Sequence, residues 1–259
     1  SEFLWQEGHT AHETHDDAVE ETIRMLNVYY DFMVNVLSIP VIRGGKSESE
    51  RFAGAEATYT CEALMHDGKA LQMGTSHFLS DHFARAYDIK YLSREGKQEY
   101  CYTTSWGTST RMIGGLIMVH GDDRGLKLPP KVAPIQVVIL PIAMHKEGVL
   151  DKANELFEQC KAAGLRVKVD DSEQSAGWKF NQWEMKGVPV RLEVGPRDIE
   201  NGVVVAVRRD TLEKITLPST LESIAGSAFD STTVTVLRPP VRGSLAAAWF
   251  ASNSPSTQI

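Results

Sequence analysis

Long apolar runs are missing from this 259-residue sequence; the longest, such as 137–143, is far too short to cross a bilayer as a helix. The first residues also lack a basic start followed by a continuous apolar core, which argues against a secretory leader. Cysteine is scarce. Cys61, Cys101 and Cys160 are too far apart for a C-x-x-C metal pair and too few for an even-numbered disulfide framework. A soluble chain in a reducing, cytoplasmic compartment is the expectation. Positive charge is in deficit as well: the net charge is -7, so binding that coats nucleic acid through many phosphate contacts is excluded. Any nucleic acid must be recognised by shape and local contacts. No internal repeat is visible. What is present is core-forming material, 42% apolar residues with five Trp, enough for one large domain or two ordinary ones.

From Asp17 to about Ser38, Val19, Ile23, Leu26, Tyr30, Met33 and Leu37 recur at steps of three and four, the period of an amphipathic helix that Thr14 and Asp17 can cap. Strand-like pieces broken by Gly follow at 58–64, 69–73 and 100–105, then a Gly-rich run at 113–120. A long antiparallel sheet with a helix packed on it is the expected first domain. Three prolines within 125–134 (GLKLPPKVAP) mark a stiff extended connector, and the domain boundary is set there. Beyond it come a strand at 135–142, a helix at 150–163, a strand at 165–169, a short helix at 180–185, and strands at 188–194 and 203–208. That alternation predicts a small α/β domain with a mixed sheet. The expected division is 1–130, 131–218 and a weakly ordered or divergent Ser-, Thr-, Ala- and Pro-rich tail at 219–259, with a short helix at 221–228.

Two segments invite chemistry and fall short of it. HTAHETH (9–15) lacks the H-E-x-x-H spacing that places two His one helical turn apart on a metal, so no metal site is predicted. GGKS (44–47) resembles the end of a phosphate loop, but the first glycine would fall at Pro40; a mobile loop with a basic end is the reading. In FLWQEGH (3–9), strand alternation would turn Phe3, Trp5, Glu7 and His9 to one face. An acid among large aromatics costs desolvation unless it meets a cation or donor. A pocket for a small cationic group and a buried ion pair with a distant Arg both fit. Small and hydroxyl residues gather in ALQMGTSH (70–77), and Arg111 follows the hydroxyl-rich TSWGTST (104–110) and precedes a Gly-rich apolar helix or strand. An Arg so placed suits forked contact with phosphate oxygens, or pairing with a carboxylate.

Taken in order, these segments resemble prolyl-tRNA synthetases of the archaeal and eukaryotic-like type, within class II. EFLWQEGHTAH (2–12) resembles the end of the family's motif 2, ALQMGTSH its nucleotide- and proline-binding strand end, and TSWGTSTRMIGGLIMVHGDDRGLKLPP (104–130) its motif 3 and exit. The likeness continues through GWKFNQWEMKGVPVRLEVGPRD (177–198) and VAVRRDT (205–211). The resemblance implies an α/β (α+β) fold: an antiparallel class II catalytic sheet with helices, then a small mixed-sheet anticodon-binding domain. It implies proline–tRNA ligase activity using ATP and Mg²⁺, with proline and tRNA(Pro) as partners. Arg111, Gln72 and Thr75 match nucleotide-contacting, catalytic positions. Trp5, Glu7, His9, Phe52, His77 and Trp106 match the proline pocket wall and Gly107 its floor, while Glu184, Arg191, Arg197 and Asp198 match anticodon-reading positions. Motif 1, which builds the family's homodimer interface, the Thr-x-Glu loop and the motif 2 arginines would precede Ser1, so dimerisation by this chain alone is not expected; the resemblance implies a homodimer for the intact enzyme, or a companion amino-terminal chain that supplies the missing part. The spacing leaves no room for an editing domain. A non-catalytic tRNA-binding or regulatory remnant of a synthetase is the alternative.

Overall fold

The computed structural model describes residues 2–219, so the expected helix at 221–228 and nearly all of the expected tail lie outside the described residues. The chain divides into two compact units, one up to Val119 and one from His120 onward.

In the first unit, strand β1 (Trp5–His12) leads into helix α1 (His15–Asp31). Thr14 caps the helix, its Oγ1 accepting from the Asp17 backbone N–H at 3.2 Å, and Asp16 and Asp17 place negative charge at the positive end of the helix dipole. Ala18, Thr22, Leu26 and Tyr29 form the buried stripe, as the three-to-four-residue period requires. A π-helical turn, Phe32–Val36, ends it. Strands β2 (Val41–Gly45), β3 (Ala57–Leu64) and β4 (Ala70–Ser80) follow, then the short helix α2 (His82–Ala86) and the hairpin β5 (Lys90–Leu92) and β6 (Gln98–Tyr100). Strand β7 (Tyr102–Ser109) and helix α3 (Arg111–His120) complete the unit. The five long strands form an antiparallel sheet in the order β1-β7-β4-β3-β2. Helix α1 covers one face: Ser76 Oγ donates to Thr22 O at 2.8 Å, Tyr29 Oη donates to Gln6 Oε1 at 2.6 Å, and Gly74 leaves room for Met33 and Tyr29.

One open alternative is decided and one expectation needs correction. The run at 113–120 is helical: Met112 and Gly115 are buried, and a Cβ on Gly115 would sit 2.5 Å from Met73 Sδ, so the glycine serves close helix–sheet approach. Gly44 and Gly45 end β2 instead of forming a loop, because their backbone pairs with Thr60 and Tyr59.

The second unit holds β8 (Val137–Pro141), α4 (Val149–Ala162), β9 (Val167–Val169), α5 (Ala176–Met185), β10 (Val190–Val194), α6 (Pro196–Glu200), β11 (Val203–Arg208) and β12 (Lys214–Pro218). Its sheet runs β12-β11-β10-β8-β9, with β8 parallel to β9 and β10 and the remaining pairs antiparallel. Strand β8 is buried throughout because both faces are covered. Val137 and Ile139 pack with Ala153, Leu156 and Cys160 of α4, while Val138 and Leu140 pack with Trp183 of α5. The proline-rich run begins inside this unit. Leu126 and Leu128 donate their backbone N–H to Met185 O and Gly187 O at 3.0 and 3.2 Å, and Asp122 takes a forked bond from the buried Arg209 at 3.0 and 2.6 Å.

Candidate active site and anticodon face

The sheet face away from α1 carries a cavity of about 390 Å³. Strand registers decide what reaches it. Glu7 pairs with Gly107, which pairs with Thr75, which pairs with Thr60, so these four form one cross-strand row. His9, Ser105, His77 and Thr58 form the next row, and Trp5 sits opposite Ser109. The alternation expected of Trp5, Glu7 and His9 is therefore present, with Gln6 turned the other way to Tyr29.

Gln72 and Thr75 are three apart, and in a regular strand they would face opposite sides. A β-bulge cures this. Cys61 pairs with Gly74 and Glu62 with Gln72, leaving Met73 as the extra residue; the slip returns Gln72 to the face of Thr75 and His77. Gln72, Thr75, His77, Gly107, Trp5, Glu7, Phe52 and Arg111 all line the cavity. His9 does not line it, although its Nε2 lies 3.2 Å from Glu7 Oε1. Glu7 keeps 37% of its side chain exposed, so it is an open carboxylate with a His neighbour, and the buried Glu–Arg pair is not found. Arg111 stands exposed at the first turn of α3 with no ion pair among the described residues.

Trp106 borders the cavity, yet the register sets it with Gly8 and Ser76 on the α1 side. A Cβ on Gly8 would meet the indole at 2.3 Å, which places the ring over that glycine. A side chain cannot leave its face of the sheet without a bulge, and β7 has none at this position.

Phe52, on the segment joining β2 to β3, lays its ring 4.9 Å from that of His77. Its backbone N–H donates to Thr58 Oγ1 at 3.1 Å, and the same hydroxyl lies 3.0 Å from His77 Nδ1. Burial, assisted by the nearby Lys46 ammonium, holds the His77 imidazole below its usual value and keeps it neutral. Lys46 Nζ donates to Gln72 Oε1. Lys46 is the basic end of GGKS, and Thr58 is an ordinary strand threonine whose part in the site depends on its register.

The second unit separates its four candidate residues by environment. Arg191 is buried; its Nη1 donates to Glu184 Oε1 at 2.8 Å, its Nε to Glu193 Oε1 at 2.9 Å, and its guanidinium lies 4.2 Å from the Phe180 ring centre. Asp198 Oδ2 accepts from Gly195 N–H at 2.8 Å and so caps α6, an element missed from the sequence, while Arg197 on the same helix is exposed.

Residues 136–221 match a family model described as an anticodon binding domain. A proline–tRNA ligase of Clostridium novyi is 65% identical over 215 residues, which are 83% of this chain and 45% of that relative. Proline–tRNA ligase 2 of Bacillus cereus is 58% identical over 243 residues, 90% of this chain and 51% of that relative. The crystal structure of prolyl-tRNA synthetase from Cryptosporidium parvum complexed with L-proline and AMP superposes with a TM-score of 0.87 at 44% identity, covering 91% of this chain and 52% of that one. Such matches define an aminoacyl-tRNA synthetase architecture, a sheet domain with an open polar and aromatic cavity followed along the chain by an anticodon-binding fold. Within that class the chain belongs to the prolyl-tRNA synthetase family. It spans about half the length of the curated relatives it matches.

Proposed function

We propose that this chain supplies one wall of the proline and ATP site, together with the anticodon reader, of a proline–tRNA ligase. The observation that carries the reading is the bulged register of β4, which brings Gln72, Thr75 and His77 onto one face with Glu7, Gly107 and Arg111. In the reaction the proline carboxylate attacks the α-phosphorus of ATP and pyrophosphate leaves. A terminal ribose hydroxyl of tRNA then attacks the prolyl carbonyl and AMP leaves. No covalent enzyme intermediate is required, so the protein's contribution is alignment and charge stabilisation.

Glu7 offers a carboxylate to the secondary ammonium of proline, and Trp5 and Phe52 supply flat apolar surface beside it. Gln72 and Thr75 present polar groups to the nucleotide, and Arg111 is free to take phosphate oxygens. Among the described residues no group of three or more His, Cys, Asp or Glu is placed to hold a metal. Mg²⁺ keeps several of its waters and binds mainly through substrate phosphates, so it would arrive with the triphosphate. Arg197 on α6 is the exposed candidate for unpaired anticodon bases, whereas Arg191 and Glu184 shape the surface through their mutual pair. The setting of this reading is a cytoplasmic ligase acting as a homodimer or with a companion amino-terminal chain; no helix among the described residues is long and apolar enough to cross a membrane.

The test is separability of the two sites. Arg111→Ala should weaken ATP binding about 10–100-fold, the worth of one charge-assisted hydrogen bond, with tRNA(Pro) affinity unchanged; Arg197→Ala should do the reverse. Calorimetry with ATP and filter binding with tRNA read the two. Proline-dependent pyrophosphate exchange, with the amino-terminal half of the Clostridium novyi relative added, reads activity. Equal loss of both affinities in either variant would sink the two-site assignment.

A further inference from the structure

Lys46 lies just beyond β2, where its backbone N–H donates to Thr58 O at 2.8 Å, level with the row of His77 and Ser105. From there its side chain reaches across β3 and donates to Gln72 Oε1 on β4. An ammonium can only donate, so the contact fixes which end of the Gln72 amide is oxygen. The oxygen end is taken by Lys46, and the two N–H donors are left for whatever occupies the cavity that Gln72 lines.

We propose that Lys46 is a positioning residue for the cavity: it locks the Gln72 amide with its NH₂ toward the bound nucleotide, where it donates to acceptor atoms of ATP. The inference rests on the reading of the cavity as an ATP site. A cation on the amide oxygen also polarises the amide and strengthens its N–H donors. The same ammonium acts on His77. After burial, it is the second cause that holds the imidazole neutral. The other ionisable groups on that face are Glu7 and His9 of β1, Glu62 of β3 and Arg111 at the start of α3, and Phe52 covers the imidazole from the β2–β3 segment.

The experiment uses the 259-residue chain with Lys46→Met and Lys46→Arg. Removal of the charge should weaken ATP binding about tenfold, with the thermal midpoint unmoved. By NMR it should shift the Gln72 side-chain amide protons toward the positions of a free primary amide and move the His77 titration upward. Lys46→Arg should restore ATP affinity and the Gln72 signals, because a guanidinium keeps both charge and donors. ATP affinity unchanged in Lys46→Met, or an arginine variant as defective as the methionine one, overturns the proposal. Should the unmodified chain bind no ATP, the nucleotide reading fails by itself; an unaltered Gln72 and His77 spectrum in Lys46→Met then overturns the positioning role as well.

Discussion

At the scale of single residues, Gly107 shows how an absent side chain makes a site. It stands between Glu7 and Thr75 in one row, and adjacent strands are spaced ~4.8 Å, so the gap between the flanking residues is ~10 Å wide. A flat five-membered ring fits such a gap only if its middle is empty. Around Gly107 a Cβ would meet nothing closer than Gln6 O at 3.5 Å, so the fold itself tolerates a side chain. Gly107→Val should therefore fold with a melting temperature close to the parent, yet lose proline binding by at least about tenfold through steric filling, measured by calorimetry with proline. A stable variant with full proline affinity would remove Gly107 from the floor. The sequence made Glu7, Trp5 and Arg111 conspicuous because acid among aromatics and an arginine after hydroxyls are unusual pairings. Lys46 and Thr58 stayed hidden, since their importance lies in hydrogen bonds across strands that no local pattern records.

At the scale of elements, apolar periodicity located α1, β3 and α4, and short apolar runs bounded by turn residues located β8, β10 and β11. Periodicity leaves 113–120 open between helix and strand, because two glycines dilute the helical pattern, and passes over α6, whose five residues are too few to show one. The bulge at Met73 was invisible for a different reason: one extra residue in a strand alters pairing and leaves composition unchanged. A second device at this scale joins the turn after α5 to residues 125–128. Gly187 has φ +71°, and a Cβ there would lie 2.6 Å from Leu126 Cβ and 2.7 Å from its carbonyl carbon. Strain and overpacking then act together, so Gly187→Ala should destabilise the second unit by about 2–4 kcal/mol. Urea unfolding followed by Trp183 fluorescence measures it, and ATP binding should be retained. An unchanged midpoint would show that the 125–128 segment yields freely.

Across the whole molecule the two units should answer acid in different pH windows, because their perturbed groups are of different kinds. In the first unit His77 is held below its ordinary value of 6.5, first by burial and then by Lys46. Below pH 6.5 the unfolded chain binds a proton that the folded one refuses, so stability falls from that pH down to the folded value and then levels. In the second unit the carboxylates behave differently. Asp122 is held well below the usual carboxylate range, chiefly by its forked bond from Arg209. Burial pushes Asp170 and Asp210 up, but Ser172, Trp183 and Arg208 outweigh it and leave both lowered. Depressed acids stabilise the fold above the unfolded value of 3.8 and lose that contribution as pH falls through their folded values. Histidine NMR should therefore report loosening of the first unit beginning near pH 6.5, while Trp183, whose Nε1 donates to Asp170 Oδ2 at 2.7 Å, should keep its native fluorescence until below pH 3.8. His77→Asn should erase the upper window alone. Asp122→Asn should shrink the lower one and cost the second unit about 2–4 kcal/mol at neutral pH, since the buried Arg209 loses its charged partner. A single transition in which both probes move together at every pH, in the parent and in both variants, would show that the units do not unfold separately and that these groups do not set their acid limits.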